Sequence, residues 1–184
     1  SYEPEDRVKI ATDARIDSVA EAFAQVIDAK SPYTATHSAG VAEIAVGIGK
    51  VQGLIPKELK DLNRAGLLHD IGKLGVPNTI LDKPNKLSSA VWSVTRAHPR
   101  YTVEILSQVS VFKPIAQIAG RHHERLDGSG YHLGLRGDQM SQMDKILQVA
   151  DVAEALAADR PYRAGMSVEQ VLAIVDSDSG TKLD

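Results

Sequence analysis

Cysteine is absent from the 184-residue chain. That excludes disulfides, thiolate nucleophiles and sulfur-ligated metals, and suits a reducing compartment. Any metal held here takes nitrogen or oxygen donors. Long apolar runs are absent too: the stretch 41–48 is broken by a charge and a glycine and falls far short of the ~20 residues of a membrane span, so no membrane contact is expected. Aromatic residues make up only 4 % of the chain and Met only three positions, too few for a cofactor box. Trp92 and Phe23 are therefore expected in the core. No block of Lys and Arg occurs, and 21 basic against 24 acidic side chains leave a formal charge of −3. Long nucleic acid is not an expected partner, whereas one local basic pocket suffices for a small phosphate ligand. The opening SYEPEDRVKI carries neither a signal peptide nor an initiator Met, so a piece of a longer, cytoplasmic protein is expected. What remains is ordinary globular composition, 43 % hydrophobic and 24 % charged, which argues against disorder, collagen or coiled coil and for one compact domain.

Helical periodicity runs almost throughout. Ile16, Val19, Ala20, Phe23, Val26 and Ile27 recur at three-and-four spacing and predict an amphipathic helix over 14–29. Ser31 with Pro32 marks the start of a second helix, through Val41, Ile44, Ala45 and Ile48 to a stop at Gly53. Pro56 opens a third, ending near Gly72, and Ser88 or Ser89 caps a fourth that Pro99 breaks or kinks. Further helices are predicted over 101–108, 114–123, 143–158 and 168–175. Only VSVF at 109–112 is ambiguous with a strand, so the fold class is all-α. The irregular stretches 73–87 and 126–141 are long enough to suggest a function. The closing SDSGTKLD reads as a loop that stops.

Five of the six histidines sit beside predicted helix ends: His37, His69, His98, His122 and His123. His69–Asp70 and His122–His123, the latter followed by Glu124, are adjacent pairs at the close of apolar helices, and the Asp70 carboxylate opposes the helix dipole there and so calls for an explanation. Asp151 lies inside an apolar helix, where an unpaired charge costs several kcal/mol. Singly, each histidine is explained by capping or packing, and Asp151 by pairing with Arg160 or Arg163. Together, five imidazoles and two carboxylates from different helices are too many for one ion and fit two. Lys73 alone is an ordinary loop lysine, and His132 an ordinary surface residue.

HDIGKLGVPNTILDKP at 69–84 followed by HHERLDGSGYH at 122–132 resembles the HD-GYP family of HD phosphohydrolases, with SPYTATHS at 31–38, AHP at 97–99 and ADVAEALAADRPYR at 150–163 extending the match. The resemblance implies an HD-domain helical bundle over 31–184 with a buried dinuclear metal site, preceded by a leading helix within 1–30. It implies hydrolysis of cyclic di-GMP to the linear dinucleotide, with GMP as a further product. The metal ligands fall on His37, His69, Asp70, His98, His122, His123 and Asp151, with Asp70 shared by two divalent ions, iron or manganese ahead of nickel or zinc. Asp70 and Lys73 become the catalytic pair, Lys73 on the scissile phosphate, with Arg125, Asp127, Gly128, Gly130 and Tyr131 flanking substrate. GGDEF-type or other signalling proteins, and regulatory domains outside the chain, are the implied partners. Three departures matter. His132 stands where the family has Pro, which implies a looser loop and keeps open a catalytically weak module that binds a dinucleotide or a signalling protein. Tyr33 stands where some members have a Glu and a third metal, and the family's last helix is missing after SGTKLD. A nucleotide phosphohydrolase or dimetal oxygenase on the same scaffold is the remaining alternative.

Overall fold

A computed structural model describes residues 11–30, 36–81, 89–159 and 163–184. The expected start at Ser31 and Pro32, Tyr33, Ser88 and Arg160 lie outside the described residues. Nine α-helices occur among the described residues: α1 (Asp13–Ala29), α2 (His37–Val51), α3 (Pro56–Leu68), α4 (Asn78–Leu81), α5 (Ser89–Thr95), α6 (His98–Ser107), α7 (Ala116–Gly120), α8 (Gln142–Ala157) and α9 (Val168–Asp178). Short 3₁₀ turns cover Ile71–Gly75, Lys113–Ile115 and Gly137–Gln139. No strand occurs among the described residues, and 109–112 forms a turn. The fold is all-α, and no helix among the described residues is long and apolar enough to cross a membrane.

Sequence signals set most boundaries. The side chains of Thr12, Ser141 and Ser167 accept backbone N–H groups at the starts of α1, α8 and α9. Gly53, at φ +76°, follows the end of α2. Pro99 begins α6 rather than kinking the preceding helix, because a proline in the first turn has no N–H to waste. Two predicted helices are shorter than their periodicity suggested: α3 ends at Leu68 and α7 at Gly120, so both histidine motifs sit in the turns just beyond a helix.

The core forms where α2 packs on α3 and α8, around Val41, Ala45, Leu62, Leu68, Leu147 and Ala150. Small residues set the spacing: a Cβ on Gly66 would lie 2.7 Å from the Ala42 Cα, so only glycine lets the two helices meet there. Gly72 is equally constrained, with a Cβ falling 1.9 Å from the His98 carbonyl oxygen. The Thr102 hydroxyl donates to the His69 carbonyl at 2.8 Å and accepts from Gly72 N–H at 3.0 Å. These contacts bring the His69–Asp70 turn against the start of α6.

Two core expectations fail. α1 buries Ala20, Ala24 and Ile27 but leaves Val19, Phe23 and Val26 exposed, because its apolar stripe is wider than the side that packs on α2 and α3. Trp92 is 47 % exposed and lines a cavity instead. The closing segment is packed rather than loose: Leu183 is buried, and the carbonyl of Lys182 accepts from Leu126 N–H and the Gln148 amide.

Candidate metal centre

Helix ends aim the imidazoles. The Nδ1 atoms of His69, His98 and His122 each lie 2.7 Å from the carbonyl oxygen three residues earlier, on Gly66, Thr95 and Ala119. Carbonyls at a helix C-terminus lack intrahelical partners, so a histidine just past the end donates Nδ1–H to one and turns its Nε2 lone pair inward. His37 opens α2 and has no such carbonyl. Its Nδ1–H donates to Glu154 of α8.

Asp70 occupies the meeting point. Its Oδ1 lies 3.2 Å from His98 Nε2 and 3.8 Å from His122 Nε2, and its Oδ2 lies 3.4 Å from His69 Nε2 and 3.8 Å from His37 Nε2. The carboxylate thus turns one oxygen to each pair of imidazoles. Asp151 Oδ1 stands 3.3 Å from His37 Nε2 and 3.9 Å from His69 Nε2, while its Oδ2 faces His123 Nδ1 at 3.7 Å. Donor atoms of His37, His69 and Asp70 form one group within 4.8 Å of one another, and those of His98, His122 and His123 form a second. All seven residues expected as ligands therefore converge. Arg163, one pairing considered for Asp151, donates instead to the carbonyls of Ala155 and Leu156 at 2.8 and 2.9 Å.

The donor set fits a cation on its own chemistry. His69 Nε2 and Asp70 Oδ1 are buried without a hydrogen-bond partner, an arrangement that is costly unless something positive completes it. His98 Nε2 faces His122 Nε2 at 3.2 Å, although each ring spends its Nδ1–H on a carbonyl. Burial alone would raise both carboxylates, but Lys73 and His69 hold Asp70 well below the usual range, and His37 with the other imidazoles does so for Asp151. Burial pushes His123 down to about 4 against the pull of Asp151, and holds His122 well below 6.5 with its imidazole neighbours adding to the effect. At His37 burial also opposes charge, but Asp151, Glu154 and Asp70 outweigh it and lift the pKa to about 10. Anionic oxygens thus stand beside neutral nitrogens at His122 and His123, as divalent cations require, whereas His37 is held in its charged form by the carboxylates and gives up that proton to a cation.

The expected substrate residues divide. Lys73 Nζ contacts Asp70 Oδ2. Arg125 and Tyr131 line a cavity of about 350 Å³ that also exposes His122, His123 and Asp151. Asp127 is turned away into its own loop, accepting Ser129 N–H at 2.8 Å. Gly128 and Gly130 serve the backbone: Gly128 takes φ +80°, and a Cβ on Gly130 would lie 2.4 Å from the Glu124 Cα.

Three acidic residues were missed as contributors. Glu154 orients His37. Asp28 accepts from the Ser38 hydroxyl at 2.7 Å and ties the end of α1 to the start of α2. Glu124, fully buried, accepts Leu133 N–H at 2.7 Å and Leu135 N–H at 2.8 Å, while Tyr131 N–H reaches the His123 carbonyl at 3.1 Å. This clamp holds the loop that a missing proline was expected to loosen. Glu124→Gln turns an N–H donor toward donors, so a loss of about 2 kcal/mol in urea unfolding is expected, with faster amide exchange at Leu133 and Leu135.

The family described as HD domain matches residues 21–184. A 3'3'-cGAMP-specific phosphodiesterase of Vibrio cholerae is 48 % identical over 172 residues, covering 94 % of this chain and 37 % of its own length. A cyclic di-GMP phosphodiesterase of Pseudomonas aeruginosa is 36 % identical over 143 residues, covering 76 % of this chain and 34 % of its own. The chain thus spans about a third of either relative. Among solved structures, an HDG"Y"P protein from Bdellovibrio bacteriovorus superposes with a TM-score of 0.66 at 19 % identity, over 94 % of this chain and 57 % of that one, a likeness of fold.

Proposed function

Since the chain belongs to the HD domain family and its motifs resemble the HD-GYP branch, we propose that it is a metal-dependent phosphodiesterase that hydrolyses a cyclic dinucleotide to the linear form. The observation carrying this reading is the Asp70 carboxylate set between two pairs of imidazoles, next to an open cavity. Two divalent cations, iron or manganese first, would be held by His37, His69, Asp70 and Asp151 on one side and by Asp70, His98, His122 and His123 on the other. Bound there, such ions supply positive charge to the phosphodiester and make water nucleophilic at neutral pH. The chain's own residues do the rest. Asp70 and Asp151 present anionic oxygens, Arg125 adds positive charge to the cavity, and Lys73 faces the charge that develops on the phosphoryl oxygens. Water adds at phosphorus, the ribose oxygen leaves with a proton, and one P–O bond is exchanged for another.

Substrate choice has two supports. The motifs suggest cyclic di-GMP, and the relative with 48 % identity is specific for 3'3'-cGAMP, so both belong in the test. Anaerobically prepared protein loaded with Fe²⁺ or Mn²⁺ is expected to linearise at least one of them. Binding without turnover under Mn²⁺, Fe²⁺ and Ni²⁺ would replace the enzyme reading with the catalytically weak module. The Glu124 clamp opposes that module, because the loop bearing His132 is held by hydrogen bonds.

Glu154 tests the metal assignment without touching a ligand. Glu154→Gln leaves the His37 ring without its carboxylate acceptor, and a drop of about 10- to 100-fold in affinity for Mn²⁺ is expected by calorimetry. Unchanged affinity would remove His37 from the metal site or Glu154 from its support.

A further inference from the structure

The cavity beside the cluster has linings of two chemical kinds. His122, His123, Asp151 and Arg125 offer nitrogen, carboxylate and positive charge, while Trp92, Val152, Ala155 and Leu156 offer apolar surface. Val152, Ala155 and Leu156 are spaced three and four apart on α8 and share one face of it, next to Asp151. A ligand matching both linings is charged at one part and flat and apolar at another.

The aromatic rings of this cavity are not equivalent. Tyr131 lies against the His123 ring, with centroids 4.7 Å apart, and the Arg96 guanidinium sits 4.4 Å from its centroid. Its surroundings are already filled. Trp92, one helical turn before Arg96 and joined to it by the Arg96 N–H to Trp92 carbonyl bond of 3.0 Å, makes no ring or cation contact of this kind among the described residues. The indole is 47 % exposed on the cavity wall. An open indole beside a phosphate-directed cluster has the chemistry of a base-stacking surface.

We propose that Trp92 is the nucleobase platform of this cavity: a purine of the substrate stacks on its indole while the phosphodiester faces His122, His123, Asp151 and Arg125. The proposal rests on the cyclic-dinucleotide reading above and adds the residue that recognises the base. Stacking accepts guanine and adenine alike, so Trp92 supplies affinity for a purine and does not separate the two cyclic dinucleotides.

Trp92 is the chain's single tryptophan, so indole emission reports on this one position. Titrating metal-loaded protein with cyclic di-GMP, 3'3'-cGAMP or GMP is expected to quench that emission, whereas ribose 5-phosphate, which has the phosphate without the base, does not. Trp92→Ala is expected to raise the KM for the cyclic dinucleotide by about 5- to 150-fold, the worth of one base–aromatic stack, with the loss on KM rather than kcat. Trp92→Phe recovers most of it. Undiminished emission with all three purine nucleotides overturns the platform, as does a KM within twofold of wild type in Trp92→Ala while turnover persists. Lack of turnover on both cyclic dinucleotides overturns the hydrolase reading instead, and the GMP titration then still decides for or against Trp92.

Discussion

Asp70→Ala is expected to lower cyclic-dinucleotide turnover by at least about 10³-fold, since several kcal/mol of charge stabilisation leave with the cations. Among the carboxylates of the cluster, Asp70 alone has an oxygen close to His98 and His122, at 3.2 and 3.8 Å. Asp151 faces His37, His69 and His123 and does not replace it. Removing Asp70 therefore strips one imidazole pair of its anion and deprives the other of a shared ligand, and elemental analysis should show metal lost from both. The fold should survive. The turn carrying residue 70 is fastened through Thr102 to the His69 carbonyl and the Gly72 N–H, none of which uses the carboxylate, and far-UV dichroism should stay near wild type. Retention of both metal and turnover would end the dinuclear assignment. Asp70→Asn keeps one carbonyl oxygen and should lose less metal than alanine while still losing most activity.

How far the sequence carried the structure depended on how local each determinant is. The helix start at Pro56 was legible, because a proline acts on backbone groups within a few residues, whereas Pro99, read as a break or kink, sits in the first turn of α6, and the caps at Thr12, Ser141 and Ser167 were not singled out. The histidines were legible as a group beside predicted helix ends, but the carbonyl three residues earlier that orients His69, His98 and His122 came only with the true ends of the helices. Glu154 and Asp28 were not legible. Each lies on a helix as an unremarkable acid, and its meaning comes from a partner on another element, 117 residues away for Glu154 and ten for Asp28. Trp92 and Phe23 were misjudged by composition, which rewards burying large apolar residues but says nothing of which side of α1 or α5 the neighbours cover. The early ends of α3 and α7 escaped periodicity as well, since apolar residues continue past the point where the chain turns to deliver His69 and His122.

Lys73→Met is expected to lower kcat by about 10²- to 10³-fold, the usual loss when one preorganised charge on a developing oxyanion is removed. Methionine keeps much of the stem, so packing is disturbed little. The prediction is sharp because metal content should move in the opposite direction. Lys73 Nζ contacts Asp70 Oδ2 and is the foremost charge holding that carboxylate ionised. A cation arriving at Asp70 therefore competes with the ammonium for the same oxygen. Once the ammonium is gone, Mn²⁺ should bind as tightly as in the wild type or more so, while turnover collapses. A lysine serving only to hold the turn would give a different pattern, with stability, metal and activity falling together. Lys73→Arg supplies the control: it keeps the charge but spreads it over a planar fork, so it should recover part of kcat and restore the competition with Mn²⁺. Equal losses of metal and turnover in Lys73→Met would remove Lys73 from contact with the phosphate and leave it as the electrostatic support of Asp70.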